Sequence, residues 1–210
     1  MALTLYIGNK RYSSWSLRPY LALAHANAPF TTELIWLDRP DTTATIRAVN
    51  PANRVPVLHH DGLVIGETLA ICEYVNELFP AAQLWPADRA TRARARFAAN
   101  EMHAGFAALR GNMPMDVCVK LPGVGRTPES LADIARVQEI WNELLAASGG
   151  PFLFGAFTIA DAMFAPVATR FTTYEVELDD ASARYVAAIY ALPAMASWLA
   201  DAAKEPLKGQ

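Results

Sequence analysis

The sequence predicts a mixed α/β unit followed by an all-α unit, and three observations carry that prediction. Strand and helix patterns alternate over the first 80 residues, and nearly every periodic segment after Pro86 is helical. Two apolar runs also close on Asp61-Gly62, a strong hairpin signal. In order, Leu3 to Ile7 is a short apolar strand. Ser16 is placed to cap the first helix, with Leu17, Tyr20, Leu21 and Ala24 at helical spacing and Pro19 tolerated near its start. Asn27-Ala28-Pro29 ends that helix, and Thr32 to Leu37 alternates as a second strand. A weak helix follows and stops before Asn50-Pro51. The hairpin strands are Val57–His60 and Leu63–Ile65, and a helix runs from about Glu67 to Leu78.

This β-α-β-α-β-β-α order is what a thioredoxin-like fold produces, a mixed sheet with helices on both faces. Pro80 and Pro86 bracket a polar connection. They suggest one domain over residues 1–80 and an all-helical C-terminal bundle over residues 87–210. In the second part a helix is expected from Asp88 to about Leu109. Another should start at Thr127-Pro128-Glu129, with Thr as cap and Pro in the first turn, and reach about Ala147. Thr158 and Asp179-Asp180 open two more, and Pro193 to Ala203 forms a last short one.

Composition limits the function classes. Of 210 residues 53% are apolar and 19% charged, so the chain has ample material for a core. A net charge of −3 gives no general pull toward nucleic acid or anionic membrane. No stretch is long and apolar enough to span a bilayer, and Met1 to Gly8 lacks the basic lead of a signal peptide. Cys72 and Cys118 are the only cysteines, which favours a reducing, cytoplasmic home over a disulfide framework. The four histidines show no metal-ligand spacing, so no metal is expected.

The most informative stretch is Asn50-Pro51-Ala52-Asn53-Arg54-Val55-Pro56-Val57-Leu58, followed by Gly66-Glu67-Thr68. Pro56 cannot donate to a sheet ladder, so it belongs at a strand's entry, an edge or a bulge. A strand-entry proline, a hairpin and a polar helix start form a compact pocket. Its free backbone groups and helix N-terminus suit something peptide-like and charged. After the first strand comes Tyr12-Ser13-Ser14-Trp15-Ser16-Leu17-Arg18, and further on Phe157-Thr158-Ile159-Ala160-Asp161.

These three motifs, in this order over roughly the whole chain, resemble the glutathione S-transferases. Val-Pro with a cis proline, then a Glu/Gln-Ser/Thr pair, is similar to that family's glutathione-binding half. Ser13 to Arg18 resembles the Ser-Ser-Cys-Ser-x-Arg segment of the Zeta class, with Trp15 where that class has cysteine. Thr158-x-x-Asp161 resembles the helix-capping motif of the C-terminal domain. The resemblance implies glutathione as co-substrate, a small hydrophobic electrophile as its partner, a homodimer and a role in detoxification.

It also implies residue roles. Ser13, with Ser14 as rival, would stabilise the glutathione thiolate by a hydroxyl hydrogen bond near a helix N-terminus. A Ser13-x-x-Ser16 pair has no redox couple, so dithiol exchange is excluded there. Val55 before cis Pro56 would pair with the ligand's peptide unit. Thr68 and the helix amides would take its γ-glutamyl carboxylate, and Glu67 its ammonium. Trp15 and Arg54 would flank the tripeptide, with Arg54 and Asn53 near the glycine carboxylate. Arg18 fits a structural or interfacial charge better than a ligand contact. His103, Phe106 and Met113 are candidates for the electrophile pocket, although the same residues fit core packing equally. The basic run Arg89, Arg92, Arg94 and Arg96 reads as a solvated face or dimer-interface ion pairs. Two other readings are a glutathione-dependent isomerase of the maleylacetoacetate type and a non-catalytic binding module.

Overall fold

In the computed structural model, which describes residues 3–206, four strands form one sheet in the order β2-β1-β3-β4. They are Leu3–Ile7 (β1), Phe30–Leu34 (β2), Val57–His60 (β3) and Leu63–Gly66 (β4). Met1, Ala2 and residues 207–210, at the outer ends of the two expected domains, lie outside the described residues. β1 pairs parallel with β2 and antiparallel with β3, and β3 closes on β4. Asp61 and Gly62 turn that hairpin with φ of 48° and 82°, the sense that matches strand twist. β2 starts at Phe30 rather than Thr32 and stops at Leu34. Its length follows its register with β1, from Leu3–Phe30 to Ile7–Leu34, which alternation within one strand does not reveal.

Helices Ser14–His25 (α1), Thr42–Val49 (α2) and Thr68–Leu78 (α3) complete the first part. The cap of α1 is Ser13, not Ser16, because the Leu17 amide already donates to the Ser13 carbonyl at 3.2 Å. Ser16 turns inward, and its Oγ accepts the Gly8 amide at 3.1 Å. Pro19 lies inside α1 and offers no N–H to the carbonyl of Trp15, four residues back. That carbonyl is taken instead by the Thr68 hydroxyl at 3.1 Å, which pins α1 to the start of α3. The helix ends with Asn27 in the left-handed region (φ 50°) and the Ala28 amide donating back to Leu23.

After a 3₁₀ turn at Pro80–Ala82 the described chain is helical: Arg89–Ala104 (α4), Ala107–Asn112 (α5), Pro128–Ser148 (α6), Ile159–Thr173 (α7), Asp180–Tyr190 (α8) and Pro193–Ala202 (α9). The single helix expected over 88–109 is two. It breaks at Gly105, and Phe106 follows with φ 57°. Caps fall where the sequence puts them. Thr127 accepts the Ser130 amide, and Asp161 accepts both the amide and the hydroxyl of Thr158.

α7 is enclosed along its whole length and packs against both α1 and α4. Arg18, fully buried, ties α1 to it by donating from Nε to the Met163 carbonyl at 3.0 Å. Arg18 is thus structural, as its sequence context suggests. Three of the four arginines in the basic run of α4 bond within the chain: Arg92 to the Pro86 and Ala87 carbonyls, Arg94 to Glu143, and Arg96 to Glu73.

Candidate active site

A cavity of about 800 Å³ opens between the sheet part and the α4–α5 turn. One wall is the segment before β3. The Val55–Pro56 bond is cis, and the Val55 amide and carbonyl make no hydrogen bond to another described residue. A half-exposed peptide edge beside a cavity can pair with an extended peptide-like molecule. Arg54 lines the same wall, its carbonyl held by Asn50 Nδ2 at 2.6 Å.

The second wall is the start of α3. Glu67 has φ 78° and ψ 131°, a conformation that non-glycine residues seldom adopt. Such outliers persist where the surroundings over-determine them. Its carboxylate accepts the Leu69 amide at 2.9 Å and stays exposed to the cavity. Thr68 lies beside it with its side chain enclosed. The hydroxyl proton goes to Trp15, which leaves the free backbone N–H groups at the helix start, not that hydroxyl, as the donors available to an anion. A carboxylate beside free helix amides fits an α-amino acid zwitterion, with ammonium on Glu67 and carboxylate on the amides.

Trp15 forms the floor. The Arg18 guanidinium lies 4.3 Å from its ring centroid, that of Arg110 5.2 Å, and the His103 ring 5.3 Å. His103 Nδ1 is 3.7 Å from Glu67 Oε1, beyond hydrogen-bond reach. His103 lines the cavity from α4. Phe106 and Met113 do not. Phe106 is 6% exposed and Met113 fully buried, and both belong to the core of the helical part. The break at Gly105 and the left-handed Phe106 explain the difference, because they interrupt the helical phase that would have put these residues on one face with His103. Arg110 takes their place on the wall. Sequence reasoning missed it, since a helix continued to Leu109 gives no hint of where its next turn points.

The two candidate serines sit at the N-terminus of α1, next to Trp15 in sequence; neither is among the residues that line the cavity, and Ser13 is buried. Ser13 Oγ lies 2.7 Å from Ser16 Oγ, which in turn accepts the Gly8 amide. Ser14 Oγ accepts Arg170 Nη2 at 3.4 Å, and its carbonyl accepts Arg18 Nη1 at 3.0 Å. Burial, with Arg110 and Arg170 as like charges, lowers the affinity of Arg18 for its proton. Burial first and Arg110 second bring Arg170 down to about 10, so it stays cationic at neutral pH. No cluster of metal-ligating side chains occurs among the described residues.

Residues 12–78 match the family described as glutathione S-transferase, N-terminal domain, and residues 124–201 match its C-terminal domain. The chain belongs to the glutathione S-transferase family. It is 28% identical over 169 residues to glutathione S-transferase L1 of Arabidopsis thaliana, across 80% of this chain and 64% of that one. A maleylacetoacetate isomerase of Rattus norvegicus is 26% identical over 176 residues, 83% of this chain and 80% of that one. A probable maleylacetoacetate isomerase of Caenorhabditis elegans is 39% identical, over 40% of this chain and 39% of that one. The chain thus spans less than two thirds of the length of several curated relatives it matches. A glutathione transferase homologue from Burkholderia with bound glutathione superposes with a TM-score of 0.73 at 24% identity, covering 96% of this chain and 98% of that one. At that identity the likeness establishes the glutathione S-transferase fold, with its thioredoxin-like and helical parts.

Proposed function

We propose that this glutathione S-transferase family member is a glutathione transferase that presents the glutathione thiolate to a small electrophile with an apolar body. One observation carries the reading: the unpaired Val55 edge before cis Pro56 and the Glu67/Thr68 helix start face one cavity. The first suits a cysteinyl peptide unit and the second a γ-glutamyl zwitterion. Arg54 stands at the end where the glycine carboxylate would fall.

Thiol activation needs no general base. A free thiol near pKa 8.5 is only a few per cent ionised at neutral pH. Lowering that value by ~2 units takes ~2.7 kcal/mol of preferential thiolate stabilisation. One hydroxyl bond to a charged group supplies ~1.5–3 kcal/mol, and a helix N-terminus ~0.3–1 more. The Ser13–Ser16 contact supports Ser13 as donor. If Ser16 gives its hydrogen to Ser13, the relay Gly8 N–H to Ser16 to Ser13 leaves the Ser13 hydrogen for the sulfur.

The test is retention on glutathione resin together with the ultraviolet thiolate absorbance of bound glutathione against pH. Ser13→Ala and, more weakly, Ser16→Ala should return the thiol pKa toward its free value, and Ser14→Ala should not. A return seen only in Ser14→Ala would move the role to Ser14. Failure of the wild type to bind glutathione would leave a binding module. The relatives named maleylacetoacetate isomerases favour a second reading, glutathione-dependent isomerisation. Against it, Trp15 replaces the Zeta-class cysteine. We further propose a cytoplasmic, twofold homodimer. Phe97, 67% exposed on α4, is a large apolar side chain without cover in one chain.

A further inference from the structure

Arg110 is the cation of the cavity wall that the family resemblance leaves without a role. Its two recorded bonds are both made by Nη1, to the carbonyls of His103 at 3.1 Å and Gly105 at 3.0 Å. Those bonds hold the α4–α5 turn and fix the guanidinium plane. Nε and Nη2 have no partner among the described residues, and they form the edge of the guanidinium that matches a carboxylate.

The charge around this edge is unbalanced. Arg18 and Arg170 sit behind Trp15 and Ser14, and their recorded bonds also go to carbonyls and a serine hydroxyl. No ion pair among the described residues includes any of the three arginines. Among the described residues Glu67 is the one acid lining the cavity; its Oε2 accepts the Leu69 amide and its Oε1 faces His103. Arg11 shows the contrasting case, with its Nε–Nη2 fork spent inside the fold on Asp116 at 2.8 and 3.0 Å.

We propose that Arg110 is an anion subsite and that the electrophile handled here carries a carboxylate on its apolar body, received by the Nε–Nη2 edge beside the Trp15 ring. The proposal rests on the transferase reading, because it assigns the second substrate of the same cavity. Glutathione's own carboxylates are accounted for on the opposite walls, at the start of α3 and near Arg54. The partner on the helical side is therefore the other reactant.

Binding of product analogues tests it without requiring turnover. Calorimetry would compare S-benzylglutathione with S-(4-carboxybenzyl)glutathione on the wild type, Arg110→Gln and Arg110→Lys. The wild type should prefer the carboxylated analogue by about tenfold or more, and Arg110→Gln should bring that ratio toward one. Arg110→Lys, which keeps the charge without the fork, should fall between them. Raising salt from about 50 mM to about 500 mM should shrink the wild-type preference, a readout that stands if Arg110→Gln does not fold. No wild-type preference, or an equal preference in Arg110→Gln, overturns the anion subsite while leaving glutathione binding intact. Failure of both analogues to bind overturns the transferase reading and the subsite with it.

Discussion

Asp161 shows how one side chain can serve the fold and strain against it. It is fully buried and accepts the Leu153 amide at 3.0 Å and the Thr158 amide at 2.8 Å. Burial nevertheless outweighs those donors and pushes its carboxyl up from 3.8 to about 6. The folded state therefore holds this proton more tightly than the unfolded chain. The stabilisation from the protonated group is complete below about pH 4 and lost as pH rises through about 6. Asp161→Asn cannot titrate, so the wild type should lose on the order of 2–3 kcal/mol relative to it across that window. Urea titrations at several pH values measure the difference, and parallel profiles would refute the assignment. The Thr158–Asp161 cap is plain in sequence, because both members lie within one turn. The Ser13–Ser16 contact was half visible, since the spacing was there but not the Gly8 amide that bonds Ser16. The bond from Thr68 to Trp15 was not visible, because it joins residues 53 apart in sequence.

The α4–α5 break illustrates the same limit at the level of elements. A Cβ on Gly105 would stand 2.7 Å from the Glu101 carbonyl oxygen, a rigid backbone atom. Gly105→Ala should then cost about 1–3 kcal/mol, read by denaturant unfolding. It should also misplace Arg110, whose Nη1 holds the Gly105 carbonyl. An alanine variant as stable as the wild type would show that the turn relaxes freely. One glycine in a helical pattern reads as a tolerated weakness. That is why the segment looked continuous, and why Phe106 and Met113 were expected on the pocket wall. Elements bounded by local chemistry were legible: the Asp61-Gly62 hairpin, the Thr127-Pro128 helix start and the proline at the strand entry, whose cis bond only the family resemblance implied. Those bounded by a neighbour, such as β2 against β1, were displaced by about two residues.

At the scale of the molecule, the dimer proposed above predicts a scattering mass near twice the 22.9 kDa of one chain at micromolar concentration. A mass of one chain would remove the proposal, and Phe97→Glu should shift the wild type toward it. The order of the two halves along the chain was readable from periodicity alone, but the cleft between them was not, because it depends on how α7 meets α1. A second long-range junction lies at the loop that leads to Ser13. Glu205 accepts the amides of Lys10 and Arg11 at 2.7 and 3.1 Å, Asp201 pairs with Lys10 at 2.6 Å, and Trp198 Nε1 donates to the Lys10 carbonyl at 2.7 Å. The first of these contacts joins residues 195 apart in sequence. A chain under synthesis therefore makes the loop long before it makes the helix that clamps it. The sheet can form early, yet the segment presenting the serines stays unlatched until α9 has left the ribosome. An unfinished chain would carry the serines without the clamp that steadies them, so the thiol activation proposed for them would come late in the life of each molecule.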